Sequence, residues 1–461
     1  MSIPQFVKIL DRAHNGPICS VRDWDTKTIP ETIKSKLERY HLVHTFDPGN
    51  PVNADDDLAD RYFKAGYEMA CELGVLCQDT ERIIKVSEED FDEAFRRAPS
   101  ELRLGKGNDR VVMKSRRPED GVRPLFTAPL GIVVSEDNWL PVNQGIAMQK
   151  EVDILQGASL DSVFGSPLKG GTPYETVAGR LQAQIHRDAL WRAGRPGMPA
   201  TAVITSPTAF GQLGGFGIPG GFPCDQNIAM VLAPAEMKTT YDALHKVAHA
   251  LNMGATLMSG ASPMIGGYAG PPEGAALAGI AWSVVQYVVH FADYGGCAMM
   301  DIRYNCNTNR EGIWALSLAM QALSRNTDLL IQSVSNQLGG PMTKMLLWES
   351  AAIMAALSAS GASVVIGPRT AGGKWANHLS PLECRFSGEV LRSAADLKRN
   401  QASKFVNGCL SHYEDRLANP DVGVPFEECY DRQTLTPKPE WMAMYTEVKG
   451  ELADMGLRLV R

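Results

Sequence analysis

The chain has 461 residues, of which 44% are hydrophobic and 21% charged. That balance describes a soluble globular enzyme and excludes a disordered chain, and the length suits one barrel with added segments. The formal net charge of −7 leaves no global basic field to draw in nucleic acid.

The N-terminal string MSIPQFVKILDRAHNG lacks a long apolar core and a small-residue cleavage site, so no secretion signal is expected. Residues 1–120 are rich in charge and show helical periodicity in ETIKSKLERYHL and in DLADRYFKAGYEMACELGVL. Ser87, followed by Glu88, Glu89 and Asp90, suits a helix start, because acidic groups favour the positive end of the helix dipole. These features predict a helical N-terminal region over 1–120, packed on the main body.

From residue 121 to about 380 short apolar or β-branched runs alternate with helical segments. The runs are 124–134, 159–165, 199–206, 227–234, 255–260, 297–304, 329–335 and 362–368. Between them lie stretches such as YETVAGRLQAQIHRDALWRA and REGIWALSLAMQALSRN, each with an apolar face. Strand–helix alternation implies parallel strands, because a parallel crossover needs a long connection. Eight such units predict an α/β fold, a closed (β/α)8 TIM barrel. Residues 381–461 read as a helical C-terminal region packed on that barrel. The most apolar stretch, Ala275 to Ala292, is broken by Ser283, Gln286 and His290 and is short for a bilayer, so it reads as a buried barrel helix. Nine scattered cysteines without a CxxC pair fit reduced thiols and a cytoplasmic protein.

Barrel chemistry sits at the C-terminal ends of the strands. Those ends carry Ser135, Glu136 and Asp137; Ser166; Thr205 and Ser206; Ser259 and Gly260; Arg303 and Asn305; Asn336 and Gln337; and Arg369. Two glycine-rich loops, 211–223 and 266–270, permit tight turns and close approach, or serve only as connections. In DIRYNCNTNREG (301–312), Thr308 and Glu311 have capping-box spacing, while Asp301 and Arg303 alternate and could form an ion pair inside the barrel. His245 and His249 lie four apart on a helix, but no third metal ligand is evident and barrel helices face outward. No GxxxxGK[ST] loop occurs, and no strand leads into GxGxxG. The pattern DxHxxG is absent as well, so no cofactor is expected to be bound directly, and if cobalt chemistry occurs here the cobalt arrives on a partner protein.

WRAGRPGM (191–198), GGYAG (266–270), IRY…TNRE (302–311), EVD (151–153) and FEECYDRQTLTP (426–437) resemble the monomethylamine:corrinoid methyltransferase family, as do DRYFKAGYEMACELGVLCQDT and SED (135–137). The similarity runs from about residue 20 to the C-terminus. It implies a barrel, a homo-oligomer, and transfer of a methyl group from methylamine to the cobalt of a separate corrinoid protein. The family's hallmark pyrrolysine follows the AGRPGM string, and ungapped alignment places Thr201 there. The family's two neighbouring glutamates fall at Ala229 and Gly260. A further glutamine falls near Val334, with Gln332 or Gln337 able to substitute.

An imine electrophile can hold and orient a primary methylamine, and a threonine hydroxyl cannot form that adduct. A quaternary ammonium already carries fixed charge and leaves as a neutral amine, so positioning and environment then govern the barrier. The expectation is therefore a quaternary or otherwise pre-activated methyl donor. Tyr268 would offer an aromatic face to the cation, Asp301 or Glu136 would balance charge, and Arg303 would hold a substrate carboxylate. Thr201 is expected to mark the pocket and to shape space or donate one hydrogen bond. Three other readings stay open: a true monomethylamine donor used without pyrrolysine, a non-catalytic barrel binding a small cation, and an unrelated barrel lyase or isomerase.

Overall fold

A computed structural model of the chain describes residues 2–201, 203 and 208–459. At its centre is a ring of parallel strands. Seven form one sheet, in the order Ile228–Leu232, Thr256–Ala261, Tyr294–Cys297, Ile331–Asn336, Val364–Arg369, Leu125–Ala128 and Ile154–Leu155. Ala200 fills the eighth place, bridging Leu155 on one side and Asn227 on the other, both in parallel. Backbone hydrogen bonds close the ring there: Leu155 N–H to the Pro199 carbonyl at 3.0 Å, Thr201 N–H to the Leu155 carbonyl at 2.9 Å, and Ile228 N–H to the Ala200 carbonyl at 3.0 Å. The (β/α)8 barrel expected from the sequence is the fold, and residues 199–201 hold the place of its third strand among the described residues. Thr205 and Ser206 lie outside the described residues.

Alternation along each strand sorts side chains to two sides. Met230, Met258, Tyr294, Val364 and Ile366 share an interior cluster. Their neighbours Ala229, Leu257, Ile331 and Val365 join the larger apolar layer between strands and helices. Among the covering helices, Pro272–Val289 is buried along nearly its whole length, which accounts for its continuous apolar sequence. No helix among the described residues is long and apolar enough to cross a membrane.

Two strands lie upstream of the apolar runs that announced them. The second is Ile154–Leu155, whereas Ser159–Leu160 pairs with Val133–Val134 in a separate ladder beyond the ring. The sixth is Tyr294–Cys297, whereas Met300–Asp301 pairs with Met264–Ile265. Glycines hid the sixth strand. A Cβ on Gly295 would sit 2.6 Å from the Gln286 side chain of the covering helix, so close packing demands the residue that weakens the strand signal.

The first 120 residues combine helices with two small sheets. Ser87 caps the helix Glu88–Arg97 in a capping box with Asp90, as the acidic run predicts. Val75–Cys77 and Arg82–Ile84 pair as a hairpin, and Lys238–Thr239 joins it. A second hairpin, Glu101–Leu104 with Val111–Lys114, sends Leu104 and Met113 into the barrel's interior cluster. It plugs the end opposite the strand C-termini, and each of these two buried side chains is worth about 2 kcal/mol. At the other end of the chain, Arg399–Leu410 and Pro439–Asp454 pack on the barrel helix Lys344–Ala359.

Candidate active site

The strand C-termini surround a cavity of about 290 Å³. That is close to the lower end of the range for small-molecule sites, about 300 Å³. Met230, Met258, Met300, Val334 and Ile366 give it an apolar wall. Gln156, Asn305, Gln332, Asn336 and Arg369 supply its larger polar groups.

Gln332 comes from near the start of the seventh strand, Ile331–Asn336. Its Nε2 donates to the Ser259 carbonyl at 2.9 Å, which fixes the orientation of the amide and leaves Oε1 buried without a partner among the described residues. Gly260 makes room for this amide, since a Cβ there would lie 3.0 Å from Gln332 Nε2. Gln156 follows the second strand, held by its N–H to the Ala128 carbonyl at 2.9 Å. Both polar atoms of its side chain are buried, with no hydrogen-bond partner among the described residues. An unmet buried amide group costs about 1–3 kcal/mol, so two of them lining one cavity point to a polar ligand.

Asn305 sits in a tight turn after the sixth strand. Asp301 N–H donates to the Cys306 carbonyl at 2.8 Å, and Asn305 N–H to the Asp301 carbonyl at 2.7 Å. Asn305 takes φ 62°, a left-handed conformation that asparagine tolerates better than most residues. Arg369 ends the eighth strand, in register with Asn336. Its guanidinium lies against Gly373, where a Cβ would come within 2.3 Å of Cζ. Burial pushes the Arg369 guanidinium below its ordinary pKa. Cys297 also lines the cavity, but burial pushes its thiol up to about 12, so it is a neutral wall rather than a nucleophile.

The structure gathers only part of the expected set. Gly260, Asn305 and Gln332 line the cavity. Thr201 is buried at the third strand, on the face opposite Ala200, whose side chain joins the outer layer. Thr201 is therefore turned inward beside Gln156, although it is not among the lining residues. Ala229 faces the helices, and the inward positions flanking it are Ile228 and Met230. Gln337 is a bracket for the strand end: its Nε2 donates to Ser350 Oγ at 3.2 Å, and its Oε1 accepts from the Arg369 N–H.

Asp301 and Arg303 do pair, with Nε to Oδ1 at 2.9 Å, but at the rim rather than inside the barrel. Burial alone would raise the Asp301 carboxyl, but the Arg303 guanidinium holds it below its usual range. Arg303 also meets Glu311 at 2.8 Å, so it is spoken for and half exposed. Glu136 accepts hydrogen bonds from Gly165 N–H at 2.8 Å, Phe164 N–H at 2.9 Å and the Ser162 hydroxyl at 2.7 Å. These bonds, the Gly165 one foremost, hold its carboxyl low, and its charge serves the loop after the second strand. Tyr268 stands exposed on the rim. The helix start in 301–312 also differs by one residue. Asn309 caps the Gly312 N–H, while the Thr308 hydroxyl donates to buried Glu349. His249 Nε2 lies 3.0 Å from the Phe216 carbonyl, a hydrogen bond that gives the ring a structural role. Sequence reasoning missed Gln156, because the second strand was placed five residues too late.

The family model for the monomethylamine methyltransferase MtmB matches residues 5–457. The chain belongs to that family. The monomethylamine methyltransferase MtmB1 of Methanosarcina acetivorans is 32% identical over 448 residues, 97% of both chains. The MtmB of Methanosarcina mazei is 31% identical over the same length. The crystal structure of Methanosarcina barkeri MtmB superposes with a TM-score of 0.94 at 31% identity, covering 99% of this chain and 98% of that one. A hydroxylamine complex of MtmB matches equally well. Membership in the MtmB family makes the chain a corrinoid-dependent methyltransferase. The cavity at the strand C-termini lies where barrel enzymes carry their chemistry.

Proposed function

We propose that this enzyme moves a methyl group from a quaternary or otherwise pre-activated methylated amine to the cobalt of a separate corrinoid protein. The carbon–nitrogen bond breaks with its electron pair left on nitrogen, the amine departs neutral, and the methyl passes to the cobalt. The observation that carries this reading is the chemistry of the cavity wall. None of the described lining residues is acidic, and none is an activated nucleophile. The undescribed positions beside Thr201 are Ala202, Ile204, Thr205, Ser206 and Pro207, which add neither a carboxylate nor an amine. Such a wall neither forms an adduct with a primary amine nor activates it by proton transfer. It can hold a donor whose leaving group is already prepared, and positioning then supplies the rate.

The cobalt has to reach that cavity through the mouth. Phe164, Tyr268, Ile302 and Trp375, from the loops after the second, fifth, sixth and eighth strands, stand exposed around the barrel. Apolar side chains grouped in this way favour a protein partner over water. The reading therefore seats the corrinoid protein on this rim, with the enzyme working in the cytoplasm as a homo-oligomer.

Steady-state methyl transfer to a purified corrinoid protein in the cob(I) state, from a panel of methylated amines, tests the proposal. Turnover with quaternary donors supports it. Turnover with monomethylamine alone would replace it with the family's own substrate, and no turnover with any donor would leave a binding barrel.

A further inference from the structure

Arg369 is the only formally charged residue lining the cavity among the described residues. Other inward or partly buried arginines have acceptors. Arg116 pairs with Asp120 at 3.0 Å, Arg399 with Glu119 at 3.2 Å and Asp56 at 2.6 Å, and Arg303 with Asp301. The Arg369 guanidinium has neither a carboxylate within ion-pair distance nor a hydrogen-bond acceptor among the described residues. Only its backbone is engaged, by Gln337. A guanidinium partly withdrawn from water without a counter-ion is costly, and a fold that keeps one at a ligand cavity leaves it available to something that binds there.

We infer that the methyl donor carries a carboxylate, which Arg369 binds through its two-pronged face. This rests on the methyl-transfer reading and narrows its substrate class to a zwitterion, an N-methylated ammonium joined to a carboxylate. The rest of the wall suits the other end of such a molecule. Gln156 Oε1 and Gln332 Oε1 are buried acceptors without a partner among the described residues, and their partial negative charge complements an ammonium. The methionine and aliphatic wall between these groups accommodates a short carbon chain. A bare methylammonium would occupy only a fraction of about 290 Å³ and would leave the guanidinium unmet. The inference also reassigns a role: the carboxylate-binding arginine is Arg369, whereas Arg303 is held by two acids of its own.

Calorimetric titration of the full-length enzyme, without corrinoid protein, separates this inference from the methyl-transfer reading. The probes are N,N,N-trimethylglycine and tetramethylammonium, which share the cationic head and differ in the carboxylate. The carboxylate probe is expected to bind at least about tenfold more tightly, as charge-assisted bidentate pairing predicts. Arg369→Gln should erase that preference, and Arg369→Lys should recover part of it. Equal binding of the two probes, no binding of either by the folded enzyme, or a preference that survives Arg369→Gln would each overturn the inference. So would an Arg369→Gln enzyme whose only defect is a raised KM for the corrinoid protein, which would put the guanidinium on the cofactor's own anionic groups. An enzyme that binds the carboxylate probe through Arg369 yet transfers no methyl from any donor would refute the methyl-transfer reading and uphold this one.

Discussion

Gln337 grips Arg369 from both directions. Its backbone N–H donates to the Arg369 carbonyl at 2.9 Å, and its side-chain Oε1 accepts from the Arg369 N–H at 3.2 Å. The seventh strand thus sets where the eighth strand ends, and with it where the guanidinium emerges. Gln337→Leu removes one of these bonds and leaves the Arg369 N–H without an acceptor. A stability loss of about 1–3 kcal/mol is expected in urea denaturation, together with weaker donor binding. Unchanged donor binding would show that strand packing alone places Arg369.

Gly260 is a space holder for the Gln332 amide. Gly260→Ala sets a methyl 3.0 Å from Nε2, so the amide must shift or lose the Ser259 carbonyl. Overpacking of this kind costs about 1–3 kcal/mol where neighbours cannot yield. The expected result is a donor KM raised about tenfold with a melting temperature lowered by a few degrees, measured by steady-state kinetics and thermal denaturation. A bulkier Gly260→Val enzyme with normal KM would show that the donor sits elsewhere.

Two buried glutamates make stability depend on pH. Burial pushes the Glu349 carboxyl up to about 7, against the lowering pull of the Leu338 N–H, the Thr308 hydroxyl and the Gly339 N–H. Burial does the same for Glu383, also to about 7. An unfolded glutamate titrates near about 4.3. Between these values the folded chain keeps a proton that the unfolded chain has lost. Each group's contribution is therefore fully present below about pH 4 and is lost as pH rises through about 7, by up to about 4 kcal/mol. Glu349→Gln keeps the shape and removes the titration, because the Thr308 hydroxyl can turn to accept from the new amide. Parent and variant compared by urea denaturation from pH 4.5 to 8 should differ in slope, with the parent falling more steeply. Parallel curves would place the Glu349 titration outside this window.

The exposed rim residues offer a way to separate docking from donor binding. Ile302→Asp and Trp375→Glu put charge where an apolar partner surface would rest, at side chains that are 55% and 52% exposed and so carry little of the fold. A rise of tenfold or more in KM for the corrinoid protein is expected, with donor affinity unaltered in the calorimeter. A normal KM for both variants would move the docking face away from this side of the mouth.

The sequence revealed the barrel more fully than the site, and the difference has a physical cause. Strands such as Ile331–Asn336 and Val364–Arg369 are covered on both sides, so their apolar runs stand out and their ends could be read to within a residue or two. Ile154–Leu155 is only two residues long, and its neighbour Ser159–Leu160 carries an equally good apolar signal in a different ladder. That ambiguity concealed Gln156. Glu136 and Arg303 stand out by residue type at strand ends, and Tyr268 by its aromatic ring in a glycine-rich loop, and type is a weak guide in both places. A charge there serves a loop as readily as a substrate, and only partner geometry distinguishes Arg303, paired twice, from Arg369, whose guanidinium has no ion-pair partner among the described residues. Of the polar residues expected at strand ends, Asn305 lines the cavity, and Gln332, offered by the family resemblance in place of Val334, lines it too.

The hairpin stopper bearing Leu104 and Met113 has a kinetic consequence. This hairpin fills the end opposite the strand C-termini, so on the proposed docking the corrinoid protein would cover the mouth by which donor enters. Donor would then load before the carrier arrives, and the spent amine would leave after it. Compulsory-order turnover is the expected outcome of that docking: initial-rate patterns should intersect, and excess carrier should inhibit by locking out fresh donor.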